Sequence, residues 1–101
     1  MAILVHPSRA THYWPGAGVR KGDRMYHVLS DLIGPEGSRE LHAFVAEFGL
    51  RPQWVQYAGT YREHFDVRSE TGVAMQERGA RLATNRQVGE LLAAKKAASP
   101  R

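Results

Sequence analysis

The segment Glu63-His64-Phe65-Asp66-Val67 decides the predicted fold. Its residues alternate as in a β-strand, where successive side chains point to opposite faces of a sheet. His64 and Asp66 would then share one face, while Phe65 and Val67 share the other. The apolar face can pack into a core, and the polar face presents an imidazole beside a carboxylate.

On the N-terminal side of this strand, apolar residues recur at the spacing of one helix face, at Leu41, Phe44, Val45 and Phe48. This pattern predicts a helix over residues 38–48. Ser38 is placed to be its N-cap, and Gly49 its first residue past the C-terminal end.

On the C-terminal side, Ser69 is placed to cap a short helix that ends at Gly79. Residues 81–83 are predicted to form a brief strand. Thr84 and Gln87 have the spacing of a capping box and predict the start of a last helix. That helix is expected to fray beyond Ala94 and to bury three apolar residues, Val88, Leu91 and Leu92.

Near the N-terminus, the apolar residues 2–5 predict a strand that stops at Pro7, and residues 26–30 predict a second one. Residues 53–57 are a weaker strand candidate. Together these elements predict a single α/β (or α+β) domain over residues 1–98. It would contain a short mixed sheet of about four strands, three helices, a long basic and aromatic loop at 8–24, and a frayed tail at 99–101.

Composition narrows the classes of function. The chain has 101 residues and no cysteine, so it forms no disulfide, thiolate metal site or cysteine nucleophile. No apolar run approaches the roughly 20 residues that span a bilayer, and we expect a cytoplasmic protein without a membrane partner. The net charge of +4 favours anionic ligands or nucleic acid, although it is equally ordinary for a soluble domain.

Imidazole and carboxylate groups form the main candidate site, comprising His27, Asp31, His42, His64 and Asp66. Such mixed ligands suit a divalent metal such as Zn, Mn, Fe or Ni. The catalytic candidates among them are His27, His64 and Asp66. His27 and Asp31 are spaced to share one face of a helix or a strand. The alternative is that each group is an ordinary hydrogen-bond partner with no chemical role.

The 8–24 loop forms the second candidate site, for nucleic acid, with Arg9, Tyr13, Trp14, Arg20, Lys21 and Arg24. Arginine and lysine neutralise phosphates, and tyrosine and tryptophan stack on bases. The alternative is a solvated loop whose Trp14 folds back onto the core.

Several short stretches together resemble a known family: Ile3-Leu4-Val5, Trp14-Pro15, the His-x-x-x-Asp of 27–31, Glu40-Leu41-His42, and His64-Phe65-Asp66. The chain is similar over residues 2–92 to a family of short bacterial and phage proteins catalogued as a domain of unknown function. That family often carries an Asp just after the first strand, where this chain has His6-Pro7-Ser8. The resemblance implies a shared fold and carries over no activity.

Two functions therefore remain open. The first is a metal- or His/Asp-dependent hydrolase of phosphoester or nucleic-acid substrates. The second is a non-catalytic module that binds nucleic acid or a protein partner through the basic loop, and assembly as a homodimer fits the same elements. The glycine-rich motifs of nucleotide-binding proteins and the GxSxG motif of serine hydrolases are absent from the sequence, which disfavours those classes.

Overall fold

The computed structural model describes residues 2–11 and 18–99. Within those residues the elements are β1 (Ile3–Arg9), β2 (Arg24–Ser30), α1 (Pro35–Ala46), a short 3₁₀ turn (Pro52–Trp54), β3 (Phe65–Arg68), α2 (Ser69–Glu77), β4 (Arg81–Leu82) and α3 (Asn85–Ala98). A mixed sheet of four strands with three helices confirms the predicted fold class, in its α+β form. None of the helices in the described residues is long and apolar enough to cross a membrane.

The strands lie in the order β3-β2-β1-β4. The pairs β1–β2 and β2–β3 are antiparallel, and β4 is parallel to β1. His6 lies opposite His27, and His27 lies opposite Asp66. Three polar residues from three strands therefore stand in one row across the sheet.

The opposite face of the sheet forms the hydrophobic core. Val5 lies opposite Val28, and Val28 lies opposite Phe65. All three are fully buried and pack in one cluster with residues of α1 and α2, among them Leu41 and Met75. Burying a side chain of this size contributes about 1.5–3 kcal/mol relative to leaving it in water.

Helix α3 contacts the molecule near both of its ends. At the start of α3, the Asn85 side chain pairs with His6, which belongs to the row of polar residues across the sheet. Near its end, the Lys95 ammonium donates to the Ser30 carbonyl oxygen at 2.5 Å. Helix α3 continues to Ala98, so the predicted fraying beyond Ala94 is wrong. Its expected apolar residues Val88, Leu91 and Leu92 are only partly buried.

The helix boundaries differ from the predictions for physical reasons. Helix α1 begins at Pro35, so Ser38 is not its N-cap. Proline suits this first position because its missing N–H would have no partner there. Helix α2 begins at Ser69 itself, whose hydroxyl donates to the Arg24 carbonyl instead of capping. The predicted end of α2 is confirmed, because Gly79 follows the C-cap residue Arg78 and has a positive φ. Helix α1 instead ends at Ala46, before the predicted residue 48, because the Gly49 amide donates to the carbonyl oxygen three residues back in a turn.

The strand predictions also need correction. Strand β1 does not stop at Pro7, which lies opposite Tyr26, and it continues to Arg9. Pro7 is tolerated because β4 pairs only with Leu4 and Val5, which precede Pro7 in β1. The predicted strand at 53–57 does not form: residues 53 and 54 belong to the 3₁₀ turn, and Gln56 makes one isolated bridge to His64. The brief strand after α2 and the Thr84–Gln87 capping box are confirmed.

Candidate metal centre

The alternation of β3 places its polar side chains on the face opposite the core. Phe65 and Val67 are buried, whereas His64 and Asp66 are partly exposed. His64 directly precedes β3 and is fixed by its backbone bridge to Gln56. The register of the antiparallel pair then brings His27 of β2 beside Asp66.

Asp66 is the centre of the resulting cluster. Its Oδ1 atom lies 2.9 Å from His27 Nδ1 and 3.3 Å from His64 Nε2. Its other carboxylate oxygen accepts a hydrogen bond from the Gln56 side chain. The two imidazole rings meet edge to face with centroids 4.9 Å apart. Two imidazoles and one carboxylate therefore converge on a single point.

The protonation of Asp66 reflects this environment. Burial by itself would raise the pKa of the Asp66 carboxyl. Hydrogen bonds from His27 and His64, together with the charges of both rings, outweigh burial and hold that pKa well below its ordinary value. Asp66 is therefore an ionised carboxylate at neutral pH.

The partners of the two His64 ring nitrogens determine which of those nitrogens must carry a hydrogen. Its Nδ1 atom lies 2.7 Å from the Arg62 carbonyl oxygen, which can only accept, so Nδ1 carries a hydrogen. Its Nε2 atom faces Asp66, whose ionised carboxylate also can only accept. A neutral imidazole has one N–H and cannot satisfy both partners. Both partners are satisfied when the two ring nitrogens each carry a hydrogen, or when another cation lies between Nε2 and the Asp66 carboxylate.

The same three residues could hold a metal ion. One ligand atom each from His27, His64 and Asp66 can be chosen so that all lie within 4.8 Å of one another. Ligand atoms of a tetrahedral zinc ion are separated by about 3.3 Å, so small rotations would close the group around an ion. The side chains are 34%, 17% and 12% exposed, in that order, which leaves the cluster accessible from solvent.

The other two predicted metal ligands lie in different surroundings. Asp31 follows the last residue of β2 and accepts a hydrogen bond from the Ala2 amide at 2.6 Å. Four residues along a strand place it roughly 13 Å from His27. The His42 ring packs edge-on against Phe65, and its Nε2 lies 3.8 Å from a Glu63 carboxylate oxygen. The structure thus brings together three of the five predicted ligands.

His6 is a member of the row that sequence reasoning missed. Its ring stacks on that of His27, with centroids 5.9 Å apart and planes inclined by 17°. Its Nε2 pairs with Asn85, and its Nδ1 is buried without a hydrogen-bond partner among the described residues. His6 directly precedes Pro7, where the predicted strand stopped, and only the register of β1 with β2 places it opposite His27.

The loop before β3 supplies two further contacts that the sequence did not indicate. Gln56 binds the Asp66 carboxylate, as described above. Tyr57, whose φ of 56° is rare for a residue other than glycine, stacks on His64 with centroids 5.9 Å apart. The Arg62 guanidinium carbon lies 4.2 Å from the centroid of the Tyr57 ring.

The basic loop is described only in part, and Tyr13 and Trp14 lie outside the described residues. Arg9, Arg20, Lys21 and Arg24 are all exposed. Arg9 lies opposite Arg24 at the end of the β1–β2 pair, and its guanidinium donates to the Gly22 carbonyl oxygen. By strand alternation, both arginines belong to the core side of the sheet, opposite the His27 row.

Comparison with known proteins gives one match. A family model described as "Protein of unknown function (DUF4031)" matches residues 11–95. The chain belongs to this family. The result confirms the predicted membership of a domain-of-unknown-function family, whose description names no activity. The matched range includes His27, His64 and Asp66 but begins after His6. No curated protein and no solved structure matches the chain.

Proposed function

We propose that this protein is a metal-dependent hydrolase of phosphoester substrates, in which His27, His64 and Asp66 bind one divalent ion. The observation that carries the proposal is the convergence of these three side chains, from two strands and the residue before one of them, within 4.8 Å. Two imidazoles and one carboxylate are a donor set that zinc and other divalent first-row metals accept.

The groups around the cluster support the assignment. Metal-binding histidines commonly donate their second ring N–H to a carbonyl or carboxylate, which aims the other nitrogen at the ion. The Arg62 carbonyl oxygen does this for His64, since it fixes the hydrogen on Nδ1 and leaves Nε2 directed to the centre. The Gln56 side-chain amide orients the Asp66 carboxylate by donating a hydrogen bond to one of its oxygens. Both ligands are thus held in place before an ion arrives.

A divalent ion would lower the pKa of a bound water and polarise a phosphoryl oxygen. In the overall reaction, the water oxygen bonds to phosphorus and the ester P–O bond breaks. The proton that the water loses is balanced by the one that the leaving oxygen gains. The role of the protein is to hold the ligands and to position an anionic substrate. Arg68 can assist, because it follows Asp66 by two residues on β3 and shares its face.

Metal titration of the untagged, chelator-treated protein tests the proposal. We expect the wild-type chain to bind one Zn²⁺ or Mn²⁺ ion by calorimetry and to hydrolyse bis-para-nitrophenyl phosphate with that ion. Replacing His27 with Gln should weaken binding by about a hundredfold or more, since even supporting residues contribute ten- to a hundredfold. His42→Gln is the matched control, because its imidazole lies outside the three-ligand group, and it should leave binding unchanged.

Equal binding by the wild type and His27→Gln would refute the metal centre. Binding without hydrolysis would keep the metal centre and refute the enzymatic activity.

The exposed cations at 9, 20, 21 and 24 favour a second candidate, a nucleic-acid-binding module without catalysis. In that case, the logarithm of the affinity for an oligonucleotide should fall linearly with the logarithm of the salt concentration. Binding should persist in His64→Gln and weaken when Arg20 and Lys21 are both replaced by Gln. Binding that survives the double replacement would argue against this candidate.

A further inference from the structure

A cleft separate from the metal centre lies at the end of the sheet where β2 finishes. Its volume is about 630 Å³, within the range of roughly 300–1,000 Å³ that is usual for small-molecule sites. The walls are the first turns of α1, the loop at 59–63 and the end of α3. None of His27, His64 and Asp66 lines it.

Part of the wall is apolar and open to solvent. Leu32, Ile33 and Pro35 form this part, and the buried Leu41 also lines the cleft. Leu41 belongs to the core, but Ile33 leaves 46% of its surface exposed. A ligand with an apolar body would cover this wall. Binding of such a ligand is favoured because burial of apolar surface contributes about 25 cal/mol per Å².

Lys95 projects from α3 into the same cleft. Its ammonium donates to the Ser30 carbonyl oxygen at 2.5 Å, and the side chain is partly buried. Burial lowers the pKa of Lys95 below its usual value, although Glu63 and Asp31 act in the opposite direction. A partly desolvated ammonium is stabilised by any further anion that reaches it.

The charges of the cleft favour a single negative charge. Lys95 and the exposed Arg39 line the cleft with one carboxylate, that of Glu63. Asp31, outside the lining, also acts on Lys95 and is engaged by the Ala2 amide. Glu63 is already engaged, since it accepts the Gly59 amide hydrogen at 3.1 Å and lies 3.8 Å from His42. A second anion can therefore approach Lys95, whereas a doubly charged group would meet repulsion from Glu63.

We propose that this cleft binds a small molecule that joins an apolar body to one carboxylate. The carboxylate pairs with the Lys95 ammonium, and the apolar body covers Ile33 and its neighbours on the wall. This site is independent of the metal centre, so either assignment can fail without the other.

Titration of the full chain with hexanoate, followed by amide NMR shifts, tests the site. We expect saturable shifts at Ile33, Thr60 and Lys95, with weaker binding of hexanol and of hexyl phosphate. Replacing Lys95 with Met should weaken hexanoate binding by about tenfold or more, since a hydrogen bond to a charged group contributes about 1.5–3 kcal/mol. Lys21→Met is the matched control, because it removes an exposed amine from a residue that does not line the cleft.

Circular dichroism would establish that both variants remain folded. Hexanol binding as tightly as hexanoate, or equal affinities of the Lys95 and Lys21 variants, would overturn the proposal. Tighter binding of hexyl phosphate would overturn the assignment to a carboxylate. Shifts confined to His27, His64 and Asp66 would place the ligand at the metal centre and would also overturn it.

Discussion

Asp66→Asn changes the charge at the centre of the cluster with little change in shape. The wild-type carboxylate accepts hydrogen bonds from His27 and His64 and is only 12% exposed, so solvent screens it weakly. A hydrogen bond to a charged group contributes about 1.5–3 kcal/mol net. Asn keeps one acceptor oxygen, so about one such bond is lost. In metal-free buffer near neutral pH, we expect the free energy of unfolding to fall by about 2 kcal/mol.

The pH dependence of this loss has a definite sign. The pKa of Asp66 is lower in the folded chain than in the unfolded one. Its charge therefore stabilises the fold fully above the unfolded value of about 3.9, and this stabilisation is lost as the pH falls through the lower folded value. Asn does not titrate. The difference between wild type and variant should therefore shrink below about pH 4.

Urea denaturation followed by far-UV circular dichroism measures both quantities, with chelator present throughout. Glu90→Gln is the control, because Glu90 is 68% exposed and pairs only with the exposed Arg86 among the described residues. That substitution should change stability by less than about 0.5 kcal/mol. A variant as stable as wild type near neutral pH would show that the Asp66 contacts do not stabilise the fold. A difference that persists unchanged at about pH 3 would refute the charge argument.

Three backbone and capping predictions use the same denaturation assay. Gly72→Ala places a Cβ 2.1 Å from Tyr26 Cδ1 and should destabilise by about 1–3 kcal/mol; a neutral result would mean that the ring moves freely. Gly89→Ala meets nothing within 4 Å and should stabilise α3 by about 0.5–1 kcal/mol, whereas a loss would indicate an unseen contact. Thr84→Ala removes the acceptor of the Gln87 amide at 3.1 Å and should cost about 1 kcal/mol; no loss would mean that the cap is dispensable.

Local patterns in the sequence predicted most of the elements. The alternation in β3, the periodicity of α1 and the Thr84–Gln87 box each depend on neighbours within a few residues, which the sequence displays directly. The errors arose where tertiary contacts decide the outcome. Helix α3 extends to Ala98 because contacts such as that of Lys95 with Ser30 hold its last turns, and no local rule reports such a contact.

The candidate site was predictable in part for the same reason. His64 and Asp66 share a face by alternation alone, but the place of His27 depends on the register between β2 and β3. Asp31 was grouped with His27 because residues four positions apart share a face. On a helix such residues are neighbours, whereas on a strand their side chains are roughly 13 Å apart. The places of His6 and Gln56 beside the cluster depend on which segments of the chain pair with each other. The spacing of residues along the sequence does not reveal that pairing.

The core and the candidate metal centre are coupled through the backbone of β3. Phe65 is fully buried and stands between the two polar residues of the cluster, so the packing of its ring fixes the positions of His64 and Asp66 on the other face. A strand anchored in this way holds ligands more rigidly than a loop would, which favours a preformed site. The contacts that fold this chain therefore also set the spacing of the three candidate metal ligands.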